Sequence, residues 1–151
     1  MVGREAVPPE APGGGRLVGV SDPAASSAPS AALVAELSRG TDVCWVVQDA
    51  GVRMVWHTWV DDALCVVSGG DEQPLLEVDD GSLVEVVLRS RDTGGRLLTW
   101  PGRVSVVRPS EARWETVAAA LVAARLNLID PDGAPARWAG GSTVHRIVTG
   151  R

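Results

Sequence analysis

Apolar and polar residues alternate over several short stretches of the chain, and this alternation predicts β-strands. Residues 43–48 and 63–68 are short apolar runs typical of buried strands. Between them, residues 52–60 alternate regularly and predict one longer strand. Acidic and glycine residues at 49–51 and 61–62 supply the turns that separate these three strands.

The strongest local signal is a β-hairpin in residues 84–107. Two β-branched runs flank the sequence DTGG at 92–95, where glycine reaches positive φ without steric cost. Pro101 predicts an edge or a bulge in the second run, because proline cannot donate a ladder hydrogen bond. A last strand is predicted at residues 143–148.

Helical patterns flank the strands. Residues 30–38 carry an apolar stripe, with Ser30 as the predicted N-cap and Gly40 as the stop. Residues 111–126 form the longest amphipathic stretch, with Ser110 as its predicted N-cap, and residues 130–133 are predicted as a loop. The resulting order of helix, three strands, connection, hairpin, helix and strand favours a small antiparallel barrel.

The N-terminal part of the chain differs in composition from the rest. The first 29 residues are rich in proline, glycine, alanine and serine and hold almost no large apolar side chains. They cannot bury enough apolar surface to offset the entropy of ordering. Residues 1–29 are therefore predicted to be a disordered tail, and residues 30–151 a single domain.

The net charge, the lengths of the apolar runs and the two cysteines limit the functional classes to which the protein can belong. The formal net charge is −5 and the pI is ≈ 5.0, whereas nucleic-acid-binding domains usually present a basic face. No apolar run approaches the roughly 20 residues of a membrane helix, and the N-terminus lacks the apolar region of a signal peptide. Cys44 and Cys65 lie in apolar runs and are expected to be buried, reduced thiols. We therefore expect a cytoplasmic protein that binds neither nucleic acid nor membranes and has no metal site.

Arg89 and Arg91 are candidate anion ligands on the first strand of the hairpin. They are two residues apart, so they share one face of a strand at a spacing of about 7 Å. Two fixed cations on a rigid sheet are suited to a phosphate group. The alternative is a pair of surface cations that form ion pairs with the acidic residues Glu72, Glu77 or Glu85.

Arg125, His57 and the tryptophans are further candidates. Arg125 falls on the apolar stripe of the second predicted helix, where a buried arginine needs an anionic partner or ligand; the alternative is a side chain that extends to solvent. His57 lies between Trp56 and Trp59 and is suited to proton transfer or to a ligand hydrogen bond; the alternative is a structural role. In a chain without phenylalanine or tyrosine, Trp56, Trp59 and Trp100 serve the core, a ligand-stacking surface or a dimer interface.

The element order and two segments resemble a known family. WHTWVDDAL at residues 56–64 and CVVSGG at residues 65–70 are similar to parts of the FMN-binding split β-barrel family of pyridoxamine 5′-phosphate oxidase. The resemblance covers residues 32–148. It implies a mainly β (α+β) fold: a small antiparallel split β-barrel of about six strands with one long and one or two short helices.

The resemblance also implies a cofactor and its ligands. Members of the family are homodimers that bind FMN, or in some cases F420 or haem, in two clefts at the dimer interface. Four residues here would hold the phosphate and two would lie nearer the flavin ring. The first group is Thr58, Ser68, Arg89 and Arg91, and the second group is Trp56 and His57. The chain would then be a flavin-dependent oxidoreductase of unknown substrate, and the flavin would carry out the redox chemistry.

Two departures from the family pattern support an alternative. The segment after the third predicted strand contains Asp71 and Glu72 and no basic residue, and a carboxylate repels a phosphate dianion. The arginine and histidine pattern of true pyridoxamine-phosphate oxidases is missing too, so that activity is not expected. The alternative hypothesis is a degenerate split barrel that binds no cofactor and acts as a binding or scaffolding subunit.

Overall fold

The computed structural model describes residues 29–90, 92–93, 95–125 and 127–150. The predicted tail lies outside the described residues except for Pro29, and so does Arg91, one of the candidate phosphate ligands. In chain order the elements are α1 (Ala31–Arg39), β1 (Val43–Gln48), β2 (Gly51–Trp56), β3 (Thr58–Val60), β4 (Ala63–Ser68), β5 (Leu83–Arg89), β6 (Arg96–Val107), α2 (Trp114–Ala124), a 3-10 turn (Pro131–Gly133), α3 (Ala134–Gly141) and β7 (Thr143–Thr149).

Within these described residues, seven strands form one antiparallel sheet in the order β2-β1-β5-β6-β7-β4-β3. The predicted mainly β, antiparallel fold with a few helices is confirmed, with one strand more than the six or so expected. The strands at 43–48 and 63–68 begin and end where the sequence predicts them.

The additional strand arises at His57. The predicted single strand at 52–60 is wrong, because β2 ends at Trp56 and β3 begins at Thr58. β2 pairs with β1 whereas β3 pairs with β4, so the two pieces form opposite edges of the sheet. One intervening residue keeps the two edges within about 7 Å of each other at this point. The sheet is therefore curled into a half-barrel whose edges meet at His57.

Hydrogen bonds at the break explain why the strand stops there. The His57 backbone N–H donates to the Asp42 carbonyl oxygen over 2.9 Å. The side-chain amide of Gln73 accepts from the Trp56 N–H and donates to the carbonyl oxygens of Trp56 and Val67. Gln73 thus replaces a strand partner between β2 and β4, and it satisfies backbone groups that the curled sheet leaves unpaired.

The hydrophobic core has two layers, one on each face of the sheet. The inner layer fills the half-barrel and includes Leu64 and Val66 of β4. The outer layer lies beneath α2 and α3 and includes Cys65 and Val67 of the same strand. Since successive residues of a strand point to opposite faces, β4 contributes to both layers and all six of its residues are buried.

The helices differ from prediction in two places. α2 begins at Trp114 rather than at residue 111, and Arg113 rather than Ser110 is its N-cap, because residues 109–113 form turns and a bend. α3 follows the predicted loop and is not predicted by the sequence, since it is short and ends in two glycines, which disfavour a helix. Trp138, which is 1% exposed, packs α3 onto the outer core layer. α1 matches the prediction, with Ser30 as its N-cap.

Candidate functional site

An open cleft lies where the C-terminal end of α2 faces the junction of β2 and β3. It has a volume of ≈ 370 Å³ and is lined by Asp42, Trp56, His57, Ala124 and Arg125. We refer to it as the Trp56 cleft. It combines an aromatic ring, a guanidinium, a carboxylate and an imidazole in one place, which is the mixture of apolar surface and few polar groups typical of small-molecule sites.

Arg125 is held in the Trp56 cleft from two sides. Its guanidinium carbon lies 5.3 Å from the centroid of the Trp56 ring. Its Nε donates to Glu72 Oε1 over 3.0 Å, and Glu72 Oε2 accepts from the Trp138 indole N–H over 3.1 Å. These four residues form a continuous chain of contacts that joins β2, the end of α2, the connection after β4, and α3.

Of the two alternatives that the sequence leaves open for Arg125, an anionic partner is the one that the structure shows, and this partner is Glu72. The Glu72 side chain is 5% exposed and that of Arg125 is 30% exposed. Arg125 is the residue that ends α2, with ψ of 113°, so its backbone has left the helical conformation. Glu72 is one of the acids considered above as partners for Arg89 and Arg91, and the structure pairs it with Arg125.

His57 is fixed by neighbours on α1 and on the turn that follows. It is 3% exposed, and its Nε2 lies 3.2 Å from the Ser38 carbonyl oxygen and 3.3 Å from Thr41 Oγ1. Burial lowers the pKa of His57, and this effect outweighs the opposing effects of the Ser38 carbonyl and of Asp42. A neutral imidazole donates its Nε2–H to the carbonyl, so His57 connects the β2–β3 junction to the end of α1.

Two of the predicted phosphate ligands lie on opposite faces of the sheet. Ser68 is fully buried, and its Oγ accepts the Leu76 backbone N–H over 3.0 Å. Leu76 belongs to the inner core layer, so the hydroxyl points into the half-barrel. Thr58 pairs directly with Cys65, a residue of the outer layer, and therefore lies on the outer face. The structure does not bring these two hydroxyls together.

Arg89 lies on the outer face, near the Trp56 cleft. Its guanidinium carbon is 5.4 Å from the centroid of the Trp45 ring. Val43 pairs with Trp56, and the next residue, Cys44, pairs with Leu88, so Arg89 and Trp56 flank the same end of β1. At a strand spacing of about 4.8 Å, the two residues lie roughly 10 Å apart along the sheet.

Sequence reasoning misses part of this site. Asp42 and Ala124 line the Trp56 cleft but carry no recognisable motif, and Trp138 has no sequence signal as a partner of Glu72. The one sequence signal for it is Arg125 on an apolar stripe, which is consistent with an anionic partner nearby. It does not identify Glu72, because the two residues are 53 positions apart in the chain.

The two cysteines lie in the core of the described part of the chain, one in each layer. Both cysteines are free and buried, as predicted. Burial raises the pKa of each thiol to about 12, so neither is a nucleophile near neutral pH. Within residues 29–90, 92–93, 95–125 and 127–150, no three histidine, cysteine or acidic side chains are grouped to hold a metal ion. None of the described helices is long and apolar enough to cross a membrane.

Two solved structures are similar to this chain. One is HutZ, the heme storage protein from Vibrio cholerae, with a TM-score of 0.53 and 14% sequence identity over 80% of this chain and 89% of that chain. Another is the conserved hypothetical protein Rv2991 from Mycobacterium tuberculosis, with a TM-score of 0.57 and 17% identity over 82% of each chain. At these identities the likeness shows a shared fold. No protein-family model and no curated protein sequence matches the chain.

Proposed function

We propose that this chain binds a flavin, FMN or the deazaflavin F420, in the Trp56 cleft and acts as a flavin-dependent oxidoreductase. The observation that carries the proposal is the position of Arg125 above the Trp56 ring in an open cleft. A guanidinium stacked on an indole marks a surface that accepts flat, delocalised groups. The flavin would supply hydride chemistry, and the chain would supply stacking, hydrogen bonds and charge.

The size and chemistry of the cleft are consistent with the flavin ring. A volume of ≈ 370 Å³ is near the lower end of the roughly 300–1,000 Å³ typical of ligand sites. Trp56 offers an aromatic face, and His57 and Asp42 offer polar groups at the edge of the cleft. The ribityl phosphate would extend beyond the cleft, so a second surface is needed to hold it.

Haem is the less suitable ligand for these residues, although HutZ is described as a heme storage protein. The chain has two histidines, which are 3% and 2% exposed. His57 Nε2 is engaged with the Ser38 carbonyl oxygen, and His145 is enclosed between strands. Both cysteines are buried as well. Neither a histidine nitrogen nor a cysteine sulfur is therefore offered at the surface, and the exposed sulfur among the described residues is the thioether of Met54, a weaker haem ligand.

Arg89 is the proposed phosphate ligand among the described residues. It lies on the outer face roughly 10 Å from Trp56, about the length of an extended ribityl chain. Arg91, two residues further along, is retained as a second candidate on sequence grounds. Thr58, on the outer face, is retained too, whereas the hydroxyl of Ser68 already accepts a backbone hydrogen bond inside the half-barrel.

A homodimer would complete the site. The outer face of β1 and β2 presents Val52 and Met54, which are 62% and 58% exposed, beside Trp45. This apolar face continues directly into the Trp56 cleft, because Met54 and Trp56 lie on the same side of β2. A second copy packed against it would bury the apolar side chains and close the open side of the cleft.

The first experiment is a titration of the full-length protein with FMN, F420 and riboflavin, followed by tryptophan emission and the visible spectrum. We expect saturable quenching at micromolar flavin. Trp56→Leu is expected to weaken binding at least about tenfold, while Trp56→Phe, which keeps an aromatic face, retains most of it. Unchanged affinity in Trp56→Leu would place any flavin site elsewhere.

A cofactor-free binding or scaffolding subunit is the second candidate function. It is favoured by the ion pair between Arg125 and Glu72, which already satisfies the cation of the cleft from within the chain. Under this hypothesis none of the three flavins quenches the tryptophan emission of the folded protein. The exposed apolar face of β1 and β2 then binds a protein partner.

A further inference from the structure

Glu72 is an enclosed carboxylate with both oxygens occupied. Oε1 accepts from Arg125 Nε over 3.0 Å, Oε2 accepts from the Trp138 indole N–H over 3.1 Å, and the side chain is 5% exposed. Withdrawal of Arg125 would leave Glu72 as a buried charge without a counter-ion, which is strongly unfavourable. The pair therefore persists when a ligand enters the cleft, and Arg125 offers that ligand only part of its charge.

The positive charge of Arg125 is consequently offset from within the chain. The carboxylate of Glu72 lies against the guanidinium, and buried His57 is neutral and adds no charge. The Trp56 cleft contains an arginine and yet offers an anionic group little net attraction. The attraction that it retains is stacking on Trp56 and the edge contacts of an uncharged ring.

We infer that Glu72 determines the ligand specificity of the Trp56 cleft: by pairing with Arg125, it offsets the positive charge that would attract an anionic group, so that the cleft favours an uncharged planar ring. The inference rests on the proposed function and adds the orientation of the bound flavin. The flavin ring occupies the cleft, and the phosphate of FMN lies away from Arg125, on the side of Arg89.

The first test compares full-length wild-type protein with Glu72→Gln, using FMN and riboflavin, which share the ring and differ by the phosphate. In Glu72→Gln, FMN is expected to bind about 3–10-fold more tightly, because the positive charge of Arg125 is no longer offset by Glu72 and attracts the phosphate, while riboflavin changes by less than about twofold. Glu77→Gln is the matched control, since it removes the same charge from an exposed position of the same connection. An unchanged ratio of the FMN and riboflavin affinities in Glu72→Gln overturns the inference.

A second test needs no flavin and so separates this inference from the proposed function. It compares quenching of tryptophan emission by iodide, an anion, with quenching by acrylamide, which is neutral. Glu72→Gln is expected to raise the iodide quenching constant by about twofold and to leave the acrylamide constant unchanged. The gain is expected to vanish when Trp56→Phe is added, which assigns it to the cleft.

The outcomes of the second test are distinct. Equal increases in the iodide and acrylamide quenching constants indicate that the contacts around Glu72 have loosened, and they overturn the inference. A gain for iodide alone, in a protein that binds no flavin, supports the charge selectivity and overturns the proposed function. Should Glu72→Gln fail to fold, Arg125→Gln is tested instead, and it is expected to lower the iodide constant by about twofold.

Discussion

At the scale of single residues, the surroundings of each arginine decide what it does. Every basic side chain of this chain is an arginine, so the choice of residue type carries little information by itself. Arg89 stacks on Trp45 at the outer face, and Arg125 stacks on Trp56 while bonding to Glu72. Stacking orients both guanidinium groups, and Arg125 is held in addition by a nearly buried carboxylate, that of Glu72.

The prediction at this scale concerns Arg89 as the ligand of the FMN phosphate, and the variant Arg89→Ala tests it. The variant is expected to bind FMN about tenfold more weakly, because one charge-assisted hydrogen bond to the phosphate is lost. Riboflavin affinity is expected to stay within about twofold, and Arg108→Ala, which removes an exposed arginine after β6, is the control. Titrations followed by tryptophan quenching measure both ligands. Equal losses for FMN and riboflavin would show that Arg89 supports the fold and not the phosphate.

At the scale of elements, the curvature of the sheet is built by close packing as well as by the break at His57. β6 crosses the half-barrel and includes Gly102, which is paired with Val84 on one side and Thr149 on the other. A Cβ at this position would collide with the Ile147 Cγ2 methyl and lie 3.0 Å from Trp100 Cζ3. Glycine is required here because the inner core layer leaves no space for a side chain.

Gly102→Ala is therefore expected to destabilise the protein by about 1–3 kcal/mol, since the buried neighbours Ile147 and Trp100 must move. Gly140→Ala is the matched control, because a Cβ there meets nothing within 4 Å. In α3 the same change is expected to stabilise by about 0.5–1 kcal/mol through higher helix propensity. Urea unfolding of both variants measures the two free energies. Equal effects at the two positions would contradict this packing argument.

At the scale of the whole molecule, stability is expected to depend on pH through two buried histidines. Burial lowers the pKa of both His57 and His145. The unfolded chain keeps ordinary histidine pKa values near 6.5, so it gains protons first as the pH falls, and protonation favours unfolding. The free energy of unfolding is therefore expected to decrease below about pH 6.5, by up to about 1.4 kcal/mol per pH unit for each histidine.

Urea unfolding between about pH 7.5 and about pH 5.5 checks this dependence; most carboxyl groups titrate below that window. His57→Asn retains only the contribution of His145 and is expected to show roughly half the slope. The prediction is wrong if the wild-type free energy of unfolding is constant across this range.

The second prediction at the scale of the whole molecule concerns the proposed homodimer. Met54→Glu places a charge in the centre of the exposed apolar face of β1 and β2, and a buried unpaired charge is incompatible with an interface there. Light scattering after size exclusion is expected to give the mass of two chains for the wild type and 15.8 kDa for Met54→Glu. Ile129→Glu, at a position that is 83% exposed on a loop, is expected to leave the dimer intact. A dimeric Met54→Glu would exclude this face as the interface.

Sequence alone determined the local features of this protein. The strands at 43–48 and 63–68, the hairpin around residues 92–95 and the capped first helix were all predictable, because alternation, turn residues and caps act within a few positions. The number and order of the predicted elements also predicted the class of fold, a small antiparallel sheet with helices. The place of Arg125 on an apolar stripe likewise indicated that its side chain either pairs with an anion or extends to solvent.

Only the tertiary structure decided which residues meet. The alternation at 52–60 continues through His57 without a sequence signal, yet closing the half-barrel sends β2 and β3 to opposite edges. Glu72 reaches Arg125 across 53 positions, and Trp138 reaches Glu72 across 66. α3 forms despite poor helix propensity because Trp138 is buried. The same physical reason explains the strand break, the contacts of Glu72 and the formation of α3. Burial and chain closure act between segments far apart in sequence, where local preference has no influence.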